Sequence, residues 1–439
     1  MTLDLNRMAS QIEAMAAHMS EATADGRLRL ARAQSRYDQE KQDMGPLRDK
    51  LLASRGKVTW MPAGLPEDWN DTYPLPPLPA DFAVLASDGS QIELERHAPA
   101  SCYLINIGLA SLHYGRQPDA QLSSQAALFY QPEDLVLTDP ANANQFEHVD
   151  GKLLKLKRSV MEAQALAELA IISPQRRGVR REYEIGTPSP RSLRLRGETG
   201  SVPDLAPAPA LTPLPTLALM DGTLILWDMG GKDVRDFIRD QFLGPFREAL
   251  ERLRQAPGLA LASYISNPRA AEVVDALRIA ECPYTPSNCD RHCRQVSASQ
   301  VRPCDAVGAG VRDADLFRVR LAPGERSPLF ESNSRVLEYY GEHKVYFFYV
   351  NAGEEIARIE VPRWVASDPR RLDIAHALAL DQIGRGQGYP VALTEAHEQA
   401  VVRAADREAF WALVEDVLAG GRLSTGVSAK AQSKRTRGL

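Results

Sequence analysis

No stretch of the 439-residue sequence reaches the roughly 18 uninterrupted apolar residues of a membrane-spanning helix. The opening Met1-Thr2-Leu3-Asp4-Leu5-Asn6 also lacks the basic and apolar segments of a secretory leader. Both absences point to a cytoplasmic protein with no membrane partner. Cysteine is scarce: of five, four crowd between Cys282 and Cys304 and the fifth is Cys102, which excludes a disulfide framework running through the chain. In a reducing compartment such a crowd reads as free thiols or a local metal site before disulfides. An excess of positive charge is missing as well, with 52 Lys and Arg against 57 Asp and Glu and a net charge of −5. Any contact with nucleic acid must therefore come from a local basic surface or from metal ions. Finally, Gly384-Arg385-Gly386-Gln387-Gly388 lacks the Lys-Ser/Thr ending of a phosphate-binding loop, and no dinucleotide fingerprint occurs elsewhere. If ATP hydrolysis is needed, it resides in a partner.

What is present is an ordinary globular composition, 44% hydrophobic and 25% charged, in a chain long enough to bury a large core. Residues 1–56 read as an N-terminal helical extension, one long helix or a helical hairpin, with apolar positions such as Met8, Ile12, Met15 and Met19 at helical spacing. Its plainest role is packing on its own domain; a partner or dimer contact is the alternative. After a Trp- and Pro-rich connection, Phe82-Ala83-Val84-Leu85-Ala86 reads as a strand ending in Ser87-Asp88-Gly89-Ser90, and Cys102 to Ile107 as a second. Residues 153–172 carry a helical pattern that places Glu162 near an apolar face. A Pro-rich insertion covers 187–215, and a strand, Leu217-Ala218-Leu219-Met220, then leads into Asp221-Gly222-Thr223. Further helices are expected over 237–254, 270–279, 371–383, 394–404 and 408–418, and strands over 259–265, 344–350 and 355–361. The last two form a candidate hairpin turning at Asn351-Ala352-Gly353. Strands alternating with helices predict an α/β fold with helices on the faces of a sheet. The domain spans 80–418, with a Cys-containing insertion at 281–305 and a flexible basic tail at 419–439.

An Asp-Gly after an apolar strand is by itself a common turn signal. Here it occurs twice, at Asp88 and Asp221. Two carboxylates brought together repel one another unless a proton or cation compensates. Mg²⁺ or Mn²⁺ accepts such hard oxygen ligands, and two ions about 4 Å apart activate water and stabilise the leaving oxygen of a phosphodiester.

The ordered set Asp88-Gly89-Ser90, Ile105-Asn106-Ile107-Gly108, Arg158 to Glu162, Leu219-Met220-Asp221-Gly222-Thr223 and Tyr389-Pro390…Glu395-Ala396-His397 resembles the NurA-domain family of DNA end-processing nucleases. The resemblance runs from about Phe82 to Arg403. It implies a ribonuclease-H-like mixed sheet with flanking helices and a divalent-metal nuclease centre, usually supported by Mn²⁺. It also implies 5′–3′ exonuclease and single-strand endonuclease activity in DNA end resection, and a homodimer working with a HerA-type hexameric ATPase that translocates DNA. On that pattern Asp88 and Asp221 are the main metal carboxylates, Glu162 the helical acid and His397 the late histidine, which binds metal or exchanges a proton. Arg158, one turn before Glu162, holds that carboxylate or touches phosphate. Tyr349 matches an aromatic position that orients phosphate or base, with core packing nearly as good a reading.

Cys282, Cys289, Cys293 and Cys304 can hold Zn²⁺ or an iron–sulfur cluster, but their spacings differ from paired zinc knuckles, and free thiols are the plainer reading. Arg176, Arg177, Arg180, Arg181, Arg191, Arg194 and Arg196 form a basic stretch able to guide a DNA backbone. Two other functions remain open: a noncatalytic adaptor that recruits a translocase, and a metal-dependent phosphohydrolase acting on small phosphoesters.

Overall fold

The computed structural model describes residues 5–69, 72–95, 98–175, 213–231, 233–296 and 302–421. The arginine-rich stretch, nearly all of the Pro-rich insertion and the basic tail lie outside these residues.

One eight-stranded mixed sheet organises the domain, in the order β3-β2-β1-β6-β7-β10-β9-β8. The first three strands, β1 (Phe82–Ile92), β2 (Tyr103–Tyr114) and β3 (Asp119–Phe129), form an antiparallel meander. A separate small hairpin follows, β4 (Val136–Asp139) with β5 (Asn142–His148). Then β6 (Thr216–Asp221) pairs parallel with β1, and β7 (Leu259–Ile265) parallel with β6. The remaining strands, β8 (Phe330–Glu331), β9 (Val345–Asn351) and β10 (Ile356–Pro362), are antiparallel. The result is the ribonuclease-H-like α/β arrangement expected, extended by a β10-β9-β8 wing.

Strand alternation assigns each face its own core. Leu85, Ala218, Met220 and Leu261 meet the helices Gly151–Gln175 and Asp236–Gln255 through Val160, Ala163, Leu166, Phe242 and Phe246. On the opposite face Val84, Ala86, Leu217 and Leu219 meet the helices Pro369–Arg385 and Val391–Ala400 through Leu372, Ala375, Ala379, Leu393 and Ala396. A third core lies over the wing. There the N-terminal helices, Leu5–Glu40 and Gly45–Ser54, place Ala33, Tyr37 and Leu47 against Phe347, Ile356 and the helix Glu272–Glu281. The extension thus packs on its own domain through its second half, while Met8, Ile12, Met15 and Leu28 stay exposed. Among the described residues no helix is long and apolar enough to cross a membrane.

Three expectations need correction. β1 does not end at Ala86 but continues through Asp88-Gly89-Ser90 to Ile92, because β2 pairs with it along its whole length. β2 itself runs seven residues past Ile107, to Tyr114. The helix bearing His397 spans Val391–Ala400, beginning and ending earlier than its sequence pattern indicates.

Candidate metal centre

The parallel register explains why Asp88 and Asp221 meet. The last paired residues of β1 and β6 are Ser87 and Met220, so the next residue on each strand is an aspartate. Alternation turns both carboxylates to the face covered by the helices Pro369–Arg385 and Val391–Ala400. There His397 Nδ1 donates to Asp88 Oδ2 at 2.7 Å, and the Tyr389 hydroxyl donates to Asp221 Oδ1 at 2.7 Å. Burial, followed by its bond to Asp221, raises the Tyr389 pKa and keeps that hydroxyl a donor.

Glu162 arrives from the other face. Its carboxylate reaches the sheet at Gly89, where an added Cβ would stand 2.5 Å from Glu162 Oε1 and 2.8 Å from Arg158 Cγ. A side chain at 89 would displace the Glu162 carboxylate and the Arg158 side chain from their places. Gly108 plays the matching part on the aspartate face. It is the β2 partner of Asp88, and a Cβ there would fall 2.0 Å from the carbonyl oxygen of Ala396. The glycines therefore let two helices close on Asp88 from opposite sides. Ser90 and Asn106, paired across β1 and β2, complete the seat: both donate to the Ala400 carbonyl, Asn106 at 2.8 Å, and Asn106 also reaches Gln399 O at 3.1 Å. These bonds satisfy carbonyls at the end of the His397 helix that have no partner within it.

Electrostatics complete the picture. Glu162 is only 8% exposed, and its Oε1 makes no hydrogen bond. Arg158 Nε lies 3.1 Å from that oxygen, but its N–H does not point along the line between them. Burial pushes the Glu162 pKa up to about 7; Arg158 opposes the rise, while Asp88 and Asp221 add to it. A buried carboxylate that has an ion pair with Arg158 but no hydrogen bond at Oε1, near two more carboxylates, is a donor set suited to a hard divalent cation. In this conformation no three His, Cys, Asp or Glu side chains among the described residues stand close enough to hold one ion. Asp88, Asp221 and Glu162 nevertheless fit the group chemically, since a cation would offset the negative charge that burial disfavours on Glu162.

The loop after Asp221 is rigidly held. Gly222 takes φ +79° and donates its N–H to Tyr264 O. Glu360 Oε2 accepts from Thr223 Oγ1 at 2.8 Å and Leu224 N at 2.9 Å. The buried Arg358 donates through Nε to Glu360 at 3.0 Å and pairs with Glu272.

Of the residues proposed from sequence, Asp88, Asp221, Glu162 and His397 thus lie in one neighbourhood without forming a closed ligand set in this conformation, and Arg158 stands beside Glu162. Tyr349 does not join them. It is fully buried in the wing, and its hydroxyl donates to Asp313 at 2.8 Å, so the packing reading holds and its role toward phosphate or base is withdrawn. The tyrosine at the site is Tyr389, a member of the Tyr389-Pro390 motif whose role sequence reasoning left unassigned. The four clustered cysteines are free thiols that form no metal-holding group in this conformation, with Cys289 and Cys304 buried.

No curated protein matches the chain. Four solved chains do. Among them is a crystal structure of NurA with manganese, 12% identical, covering 78% of this chain and 91% of that one at a TM-score of 0.32. The family model for the NurA domain matches residues 82–402. That span holds both aspartates, Glu162, His397 and the glycines that seat them, and the chain belongs to the NurA-domain family, a family of nucleases.

Proposed function

We propose that this protein is a divalent-metal-dependent nuclease that hydrolyses DNA phosphodiesters at the Asp88–Asp221–Glu162 centre. The observation that carries the reading is that two strands and a helix bring three carboxylates into one neighbourhood, near enough that Asp88 and Asp221 help raise the pKa of the buried Glu162. Mn²⁺, with Mg²⁺ as the alternative, would be held by Asp88, Asp221 and Glu162, with His397 as a further ligand or proton carrier. When bound, such a cation neutralises charge at the phosphate and acidifies water.

The protein's own groups do the rest. Tyr389 and His397 each fix one aspartate by a hydrogen bond, so the carboxylates are oriented before substrate arrives. His397 is 61% exposed at its side chain, and among the described residues its Nε2 makes no hydrogen bond. It is therefore free to exchange a proton with the attacking water or the leaving oxygen. Arg158, 30% exposed, holds Glu162 and offers its outer face to a phosphate.

Family resemblance supplies the finer reading: 5′–3′ exonuclease and single-strand endonuclease activity in DNA end resection, by a cytoplasmic homodimer with a HerA-type hexameric translocase. The test is a side-by-side assay on labelled linear DNA, RNA and small phosphoesters with Mn²⁺, Mg²⁺ or EDTA. Cleavage of DNA that requires metal and stops in EDTA is expected. Turnover confined to small phosphoesters would make the protein a phosphohydrolase instead. Absence of turnover under every condition, translocase included, would make it an adaptor.

A further inference from the structure

Gly222 and Thr223, the residues directly after Asp221, line a recess of about 440 Å³. This is within the usual size of a small-molecule pocket, about 300–1,000 Å³. It opens at the carboxyl ends of β6 and β7, where ligands of parallel sheets bind. Arg358 and Glu360 alternate with the β10 residues Ala357, Ile359 and Val361, which face the helix Pro369–Arg385. The recess therefore lies on the Glu162 side of the sheet.

Its lining is specific. Trp227 is 44% exposed although Leu224, Ile225, Leu226 and Met229 around it are buried. Its side chain therefore keeps apolar ring surface accessible in the wall of the recess. The floor carries Glu272, Arg358 and Glu360, a set of acceptors and donors with more acid than base. Arg358 Nη2 is buried and makes no hydrogen bond; it lies 2.9 Å from Glu360 Oε1 but out of line with it. An acidic floor rejects a phosphate, and its carboxylate oxygens are already taken by Thr223, Leu224, Ser332 and Arg358, which leaves stacking as the means of holding a base. At the mouth, Arg269 is exposed and makes no hydrogen bond or ion pair among the described residues.

We propose that this recess receives the nucleoside that flanks the scissile phosphate, with its base stacked on Trp227 and its next phosphate met by Arg269. The proposal rests on the nuclease reading and adds to it the reason a strand is held in register at Asp221. Stacking tolerates every base, because each has a π-face, so the subsite positions the strand without reading its sequence.

The test uses single-stranded oligonucleotides with 2-aminopurine at successive positions, mixed with the full-length protein in EDTA, and cleavage sites mapped separately with Mn²⁺. Fluorescence should be quenched at the position flanking the cut and not in Trp227→Ala. With Mn²⁺, Trp227→Ala should raise KM about tenfold with little change in kcat, and Trp227→Phe should recover most of the loss. An abasic residue at that position should make wild type and Trp227→Ala alike. Equal quenching and KM in Trp227→Ala and wild type would overturn the subsite, as would a defect that persists on the abasic strand. If the wild type cuts no nucleic acid, the nuclease reading fails; Trp227-dependent quenching in EDTA would still support the recess, and its absence would overturn it.

Discussion

At the scale of single residues, Glu162 links burial to chemistry. Its pKa is about 7 in the folded protein and near the ordinary carboxylate value when unfolded, so the native state binds the extra proton between these values. Below the lower value both states are protonated and nothing is lost; above about 7 the native state bears a buried charge. Without metal, Glu162→Gln should therefore stabilise the protein at pH 8 by up to about 3 kcal/mol and leave it unchanged near pH 4. Denaturant unfolding at the two pH values checks this, and equal effects at both would remove the proton from the account. Manganese should reverse the order at pH 8, raising the Tm of the wild type more than that of Glu162→Gln. Gly108→Ala forces a Cβ onto the backbone of the His397 helix, which should cost about 1–3 kcal/mol and lower kcat. The aspartates were legible because Asp-Gly after an apolar strand is a pattern seen twice. Tyr349 misled because an aromatic in a strand looks the same on either face, and only its bond to Asp313 shows which it took.

At the scale of elements, the site depends on two helices seated on β1 and β2. Ser90 and Asn106 fasten the end of the His397 helix, so Asn106→Ala should cost about 1–3 kcal/mol for the carbonyl contacts it loses. Its kcat should fall more than its KM changes, since Asp88 and Asp221 still stand while His397 is less firmly placed. Steady-state kinetics separates this from a loss of binding. The helix and strand periods foretold most elements, β7 among them with its bounds of Leu259 and Ile265. The exceptions have physical causes. Asp88-Gly89-Ser90 reads as a turn because its residues are polar, yet each has a partner that only the assembled sheet and helices supply. β3 was missed because its sequence, Asp-Ala-Gln-Leu-Ser-Ser-Gln-Ala-Ala-Leu-Phe, belongs to an edge strand that buries little and so carries a weak alternation.

At the scale of the whole molecule, an acidic chain with a net charge of −5 is expected to act on a polyanion, and the metal centre reconciles the two. The Glu272–Arg358–Glu360 network ties the wing to the loop after Asp221, so the extended sheet also supports the active loop. Arg358→Met should destabilise the protein by about 3–5 kcal/mol, because two buried carboxylates lose their cation, and denaturant unfolding measures it. Sequence could not foresee this network, since Arg358 and Glu360 read as alternate residues of a half-exposed strand. The central claim is that Asp88 and Asp221 form the cleaving centre, and its most direct test is the initial rate of Mn²⁺-dependent cleavage of labelled linear DNA by Asp221→Asn against wild type. Asp221 is exposed and Asn keeps its shape, so the variant should fold normally and still accept the Tyr389 hydrogen bond. Its rate should be lower by about a thousandfold or more, the scale of a lost electrostatic group at a reacting centre. A correctly folded Asp221→Asn protein that cleaves DNA at the wild-type rate would contradict the central claim.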